Sequence, residues 1–236
     1  MKCSRVMRQQ VSKLFRSNKN ISVSNEIFSY SETMSSELPE LIKNLQQETE
    51  STLSNSGMMS SPVVLRLNMM LCQAVRARKI LDIGVFTGSS SLAASLATDD
   101  DAKIYALEKS GKYINIARKY WSQAGVEHKI ELRLGDAGSS LDKLLDEGHG
   151  ETFDLCYIDA DKGNYREYFD KSVELTRRGG IITVDNTLFR GLVLDEDTTN
   201  KTALAVQNFN KHAKHHPDVR VLMLPIADGL TIATKK

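Results

Sequence analysis

Two short polar segments, Asp159-Ala160-Asp161-Lys162 and Asp185-Asn186, carry the clearest chemical potential in this 236-residue sequence. Each closes a run with the composition of a buried strand, FDLCYID over 153–159 and GIITVD over 180–185. If those strands lie side by side at about 4.8 Å, their end residues project into one site at the carboxyl edge of a sheet. Asp159, Asp185 and Asn186 would then converge as hard oxygen ligands. Such a set with open positions suits Mg²⁺, which keeps several waters and accepts substrate oxygens in their place. Any one of the acids also reads as a cap for the helix that follows it. All three together fit a cation better. Lys162 stands three residues beyond Asp159, where a nearby cation disfavours the charged amine and makes it a usable general base. The plainer reading of Lys162 is an ordinary surface lysine.

A second group of residues points to a nucleoside. The turn Asp82-Ile83-Gly84-Val85-Phe86-Thr87-Gly88-Ser89-Ser90 follows the strand-like KILDIG. Gly84 and Gly88 let backbone approach a ligand, and a helix beginning at Ser89 and Ser90 offers free N–H groups. Glu108 ends the next strand, where a carboxylate can accept hydrogen bonds from both hydroxyls of an adenosine ribose. Taken alone, the glycine turn also reads as a structural connection. Its G-x-x-x-G spacing is not the G-x-G-x-x-G of nicotinamide enzymes, and no G-x-x-x-x-G-K-[ST] occurs. An adenosine ligand without a pyrophosphate is favoured, and S-adenosylmethionine is the obvious candidate.

The elements that must position these residues alternate along the chain. Strand-like runs at 79–84, 103–108, 129–134, 153–159 and 180–185 are separated by helical patterns near 89–96, 112–123, 139–147 and 165–176. Strands alternating with helices of this length predict right-handed βαβ crossovers and a parallel sheet. VRVLML (219–224) and LTIAT (230–234) are joined by PIADG, too short for a helical crossover, so those two must be antiparallel. The expected fold is α/β, a seven-stranded, mostly parallel, Rossmann-like sheet with an antiparallel C-terminal hairpin and helices on both faces.

Composition narrows the function classes. With 31 Lys+Arg against 30 Asp+Glu and a net charge of +1, no basic excess argues for nucleic acid. Cys3, Cys72 and Cys156 form neither a disulfide framework nor a CxxC pair, which suits a reducing compartment. No run approaches the 18 apolar residues of a spanning helix, so a soluble, cytoplasmic protein is expected. Residues 1–25 hold six basic residues and no acid. They read as a basic amphipathic helix or as an organelle transit peptide. The division is thus an extension over 1–24 and one domain over 25–236. Between 26 and 50, six Glu against Lys43 alone suggest a solvated helical face. His212 and His216 lie one helical turn apart, as a soft metal pair or as a solvated helix end. Trp121 reads as packing.

Taken together, the chain resembles the cation-dependent class I O-methyltransferases of the catechol and caffeoyl-CoA type. The resemblance runs from about Asn25 to the C-terminus. It is carried by MMSSP (58–62), LDIGVFTGSSSL (81–92), Gly135-Asp136-Ala137, DADKGNY (159–165), GGIITVDNTLFRG (179–191) and LPIADGLTIATK (224–235). It implies that Asp159, Asp185 and Asn186 are the metal ligands and that Lys162 is the base. Asp82 and Gly84 are similar to positions lining the methionine end of the cofactor, Ser90 to a donor at its carboxylate, and Glu108 to the ribose acid. Met58, Ser60, Ala137, Asp159 and Asp161 match other cofactor contacts. The resemblance further implies a homodimer acting on a small vicinal phenolic diol, with no nucleic-acid or membrane partner. Two residues depart from it: Phe189 stands where many members have Trp beside the acceptor ring, and Ser89 replaces a common Tyr. The rival readings are a methyltransferase of the same fold with a non-phenolic or nucleic-acid acceptor, and a donor-binding protein without chemistry. A nucleic-acid enzyme would normally carry an N/D-P-P-Y/F/W motif where this chain has Asp159-Ala160-Asp161-Lys162.

Overall fold

Short β-rich runs alternating with amphipathic helices build one seven-stranded sheet in the computed structural model, which describes residues 23–236. The expectations for the basic N-terminal extension lie, up to residue 22, outside the described residues. The strands are β1 (Lys79–Ile83), β2 (Lys103–Glu108), β3 (Ile130–Leu134), β4 (Phe153–Ile158), β5 (Thr176–Val184), β6 (Val219–Leu224) and β7 (Leu230–Lys235). They lie in the order β3-β2-β1-β4-β5-β7-β6. The first five are parallel, and β7 runs antiparallel to both β5 and β6.

The earliest described helix, α1 (Asn25–Thr33), is capped by Ser24, whose hydroxyl accepts from the Ile27 amide. It belongs to a unit that ends at Glu37, and the compact unit holding the whole sheet is Leu38–Lys236.

Within the sheet unit, the helices are α2 (Glu40–Thr52), α3 (Pro62–Ala74), α4 (Ser89–Leu96), α5 (Ile114–Gln123), α6 (Ala137–Asp146), α7 (Tyr165–Leu175) and α8 (Lys201–His215). Side chains alternate across a strand, so each strand feeds two cores. Leu81, Ile83, Cys156, Ile158, Ile182 and Val184 meet α6, α7 and α8 on one face. Ile80, Ile104, Leu155 and Tyr157 pack on the other, where α3 contributes Val64 and Cys72 and α4 contributes Ala94. Trp121 of α5 is 1 % exposed, and its indole N–H donates to the Gly88 carbonyl at 3.3 Å. It is a packing residue, as its sequence context suggests.

The structure differs from the pattern reading at three places. Lys129 is not in β3 but in a short 3₁₀ turn before it, with its ammonium donating to the Ser95 carbonyl at 2.6 Å and the Thr98 carbonyl at 2.9 Å. Carbonyls at a helix C-terminus lack intrahelical partners, and a lysine satisfies them. β5 begins at Thr176, earlier than Gly180, across a register irregularity opposite β4. The acidic stretch is also not uniformly solvated. α2 buries Ile42, Leu45 and Thr49, and Glu48 accepts from Lys119 Nζ at 2.5 Å and Tyr120 Oη at 2.8 Å, tying α2 to α5. Those bonds lower the Glu48 pKa. Cys72 and Cys156 are buried free thiols, both pushed up to about 12 by burial, so neither is a reactive nucleophile. No helix among the described residues is long and apolar enough to cross a membrane.

Candidate active site

Strand order reverses between β1 and β4, and that is where an open parallel sheet leaves a crevice beyond its carboxyl ends. A cavity of about 830 Å³ opens there, within the size range of small-molecule sites. The register of β4 on β5 pairs Ile158 with Val184 and so sets Asp159 beside Asp185 at the strand ends. The Asp159 amide donates to the Ile83 carbonyl, and the Asp185 amide to the Ile158 carbonyl, both at 2.9 Å. The two acids are thereby fixed by the sheet itself.

Asp185 is 2 % exposed. Its Oδ1 accepts from the Asn186 amide at 2.7 Å and its Oδ2 from the Tyr157 hydroxyl at 2.8 Å. Burial, reinforced by the charge of Asp159, pushes the Asp185 carboxyl up to about 6. Lys162 Nζ donates to Asp159 Oδ1 at 2.9 Å. Asn186 adopts the left-handed conformation (φ 55°) and lines the same cavity. Two carboxylates and an amide at the wall of one cavity, with like charges crowded together, are the donor chemistry of a hard divalent cation. These residues could hold Mg²⁺.

Tyr157 is the site residue that sequence reasoning missed. Its hydroxyl, bonded to Asp185, also lies 3.0 Å from Ser60 Oγ and 3.5 Å from Asp159 Oδ2. The signal was its position two residues before Asp159, on the same face of β4. Burial and the neighbouring carboxylates hold its phenol well above the usual range, so it stays a neutral donor. Two further tyrosines brace the acids: Tyr165 Oη donates to the Asp185 carbonyl at 3.1 Å, and Tyr168 Oη to Asp161 Oδ1 at 2.8 Å.

The expected cofactor residues divide into two sets. Met58, Ser60, Gly84, Glu108, Ala137, Asp159 and Asp161 all line the cavity. Glu108 is already held by backbone: Oε2 accepts from the Val85 and Phe86 amides at 3.0 and 2.8 Å, and Oε1 from the Ser110 amide at 2.8 Å. A carboxylate has about four lone-pair sites, so with three amides in place one remains for a ribose hydroxyl. Asp82 and Ser90 lie behind the wall rather than on it. Ser90 Oγ donates to Asp82 Oδ2 at 2.8 Å, Ser91 donates to the same oxygen, and among the described residues no partner reaches Oδ1. Burial pushes Asp82 up to about 7. Ser89, not Ser90, faces the cavity.

The glycines of the turn serve the protein before any ligand. A Cβ on Gly84 would lie 2.1 Å from the Asp159 carbonyl oxygen, and one on Gly88 would lie 2.6 Å from Ala117 Cβ. Positive φ values of 98° and 91° add to the requirement. Gly84 therefore allows the β1 turn to pass against the β4 end, which brings the cofactor half and the acid half into one cavity.

The O-methyltransferase family profile matches residues 32–236 of this chain. The chain belongs to the O-methyltransferase family. Probable caffeoyl-CoA O-methyltransferase 1 of Dictyostelium discoideum is 38% identical over 216 residues, spanning 91% of this chain and 94% of that protein. Caffeoyl-CoA O-methyltransferase 2 of Populus trichocarpa is 35% identical over 205 residues, spanning 84% and 82%. Among solved structures, the SAH-bound Podospora anserina methyltransferase PaMTH1 superposes with a TM-score of 0.83 at 28% identity, covering 92% of this chain and 99% of that one. This O-methyltransferase is thus an S-adenosylmethionine-dependent enzyme of the Rossmann-like class. Of the two departures from the family pattern, Phe189 and Ser89 both line the cavity. Phe189 (φ 43°) and Arg190 (φ 55°) take left-handed conformations, and Asp228 Oδ1 accepts from the Arg190 amide at 2.5 Å. The loop after Asn186 is tied in this way to the turn between β6 and β7 at the cavity mouth.

Proposed function

We propose that this O-methyltransferase methylates one hydroxyl of a vicinal phenolic diol, of catechol or caffeoyl-CoA type, in a Mg²⁺-dependent reaction. The observation that carries the reading is the Asp159–Asp185 pair on adjacent strand ends, with Lys162 2.9 Å from Asp159 at the wall of one cavity. The caffeoyl-CoA names of two relatives support the acceptor class.

Asp159, Asp185 and Asn186 would hold the cation. When bound, Mg²⁺ supplies charge that makes a catechol hydroxyl easier to ionise and steadies the oxyanion. S-adenosylmethionine supplies the electrophilic methyl on its sulfonium. Glu108 would accept a hydrogen bond from a ribose hydroxyl at its remaining acceptor site, and Gly84 and Ser60 would wall the methionine side. The Lys162 amine receives the proton of the hydroxyl to be methylated. Phe189 packs against the acceptor ring and keeps water from it. The chain contributes mainly alignment and fixed charge, the two largest levers for a methyl transfer of this kind. The acceptor is a small molecule, and a homodimer is part of the same proposal.

Purified enzyme is assayed with S-adenosylmethionine and caffeoyl-CoA or a simple catechol, with and without EDTA. Loss of turnover in EDTA and its return with Mg²⁺ is the expected result. Asp159→Ala and Asp185→Ala are expected to abolish turnover, and Asp185→Ala, at a residue assigned to the metal alone, should leave donor binding largely intact. Full turnover in metal-free buffer, or unchanged rates in both variants, would overturn the ligand assignment. Donor binding without transfer to any diol would overturn the acceptor class.

A further inference from the structure

The histidine pair singled out in the sequence acquires a third partner in the fold. His212 lies in the last turn of α8, His216 caps its end, and Asp170 comes from the middle of α7. His212 Nε2 is 2.5 Å and His216 Nε2 3.7 Å from the same oxygen, Asp170 Oδ1. One ligand atom from each residue lies within 4.8 Å of the other two. None of the three lines the active-site cavity.

We propose that Asp170, His212 and His216 form a second metal site, for a first-row transition ion of the Zn²⁺ type. An aspartate–histidine hydrogen bond accounts for His212 alone. The second imidazole nitrogen faces the same oxygen at 3.7 Å, beyond hydrogen-bond length and within ion-pair range when His216 is protonated, so both rings and the carboxylate converge on one point. Two imidazoles and a carboxylate are the three-ligand set of an open tetrahedral site, with water as the fourth ligand. Mg²⁺ prefers all-oxygen ligands, so this site and the acid set select different ions.

The surroundings orient the ligands. The His212 and His216 rings stand nearly perpendicular (88°, centroids 5.6 Å apart), and His216 is held edge-on against buried Phe169. The Asp170, His212 and His216 side chains are 37, 22 and 13 % exposed, so an ion can reach them without unfolding. Two neighbours must give way. Arg166, 4.0 Å from Asp170 Oδ2, is 70 % exposed and free to turn outward. The Asp218 amide, 3.3 Å from His216 Nδ1, must exchange that long contact for water, because ligation at Nε2 places the ring proton on Nδ1. The ion would tie α7 to α8, and α7 starts directly after the Lys162–Asn164 turn.

The test uses untagged, full-length enzyme with isotope-labelled histidine, in buffer saturated with Mg²⁺ and titrated with Zn²⁺. The chain has five histidines and the acid set has none, so the imidazole signals report this site directly. Signals of His212 and His216 are expected to shift together, saturating at one equivalent with half-saturation below about 100 μM. Asp170→Asn, which keeps the shape and an acceptor for His212, should weaken binding at least about 10-fold while methyl transfer persists. The Zn²⁺-dependent rise in thermal midpoint should shrink in the same variant. Movement of neither signal or of one alone, half-saturation above that concentration, or unchanged affinity in Asp170→Asn would overturn the site.

Discussion

The Tyr157 hydroxyl donates to Asp185 Oδ2 at 2.8 Å, joining the ends of β4 and β5 inside the active site. The same oxygen atom of Tyr157 also lies 3.0 Å from Ser60 Oγ. One phenol thus braces a candidate metal ligand against a candidate cofactor contact. Partners of this kind orient the groups that bind metal and are worth about 10- to 100-fold in affinity.

Tyr157→Phe removes that hydroxyl and leaves the ring packed. Mn²⁺ affinity, followed by electron paramagnetic resonance, should fall about 10-fold or more. Donor affinity measured by calorimetry should change far less. An unaltered Mn²⁺ titration would show that Asp185 is placed by the sheet alone.

Stability should depend on pH through two buried acids. Burial holds Asp82 at about 7 and Asp185 at about 6, both above the range of an unfolded aspartate. Between about pH 4 and 7 the native chain keeps protons that the unfolded chain has released. Unfolding free energy therefore falls as pH rises through that window, by up to about 1.4 kcal/mol per pH unit for each such proton. In EDTA, the urea midpoint should be higher at pH 5 than at pH 8. Asp82→Asn should flatten the profile; an equally steep one would assign the effect to other groups.

Two glycine substitutions separate backbone conformation from crowding. Gly125 has φ 67° and open space where a Cβ would stand, so Gly125→Ala should cost about 1–2 kcal/mol. Gly84→Ala combines φ 98° with a 2.1 Å approach to the Asp159 carbonyl, and should cost about 3–5 kcal/mol and most of the activity. Denaturant unfolding of the pair gives both numbers.

Phe189→Ala should raise the KM for a diol acceptor about 10-fold, the worth of one aromatic contact, with donor affinity unchanged. Steady-state kinetics with each substrate varied in turn would show it. An effect on the donor alone would place Phe189 on the wrong side of the cavity.

Alternation of strand and helix, the antiparallel hairpin and the acids at two strand ends are all legible in the sequence. They rest on local periodicity and on connection lengths, which each segment carries by itself. Which oxygen of which residue is free is another matter. Ser90 reads as a ligand donor in sequence but turns to Asp82, and Glu108 arrives with three backbone amides already on it. Glu48 reads as solvated but closes on Lys119 and Tyr120, 71 and 72 residues away. Asp170 carries no signal at all until α7 is laid beside His212 and His216. Hydrogen bonds and ligand sets form between groups far apart in the chain, and only the packed sheet and its helices decide which of them meet.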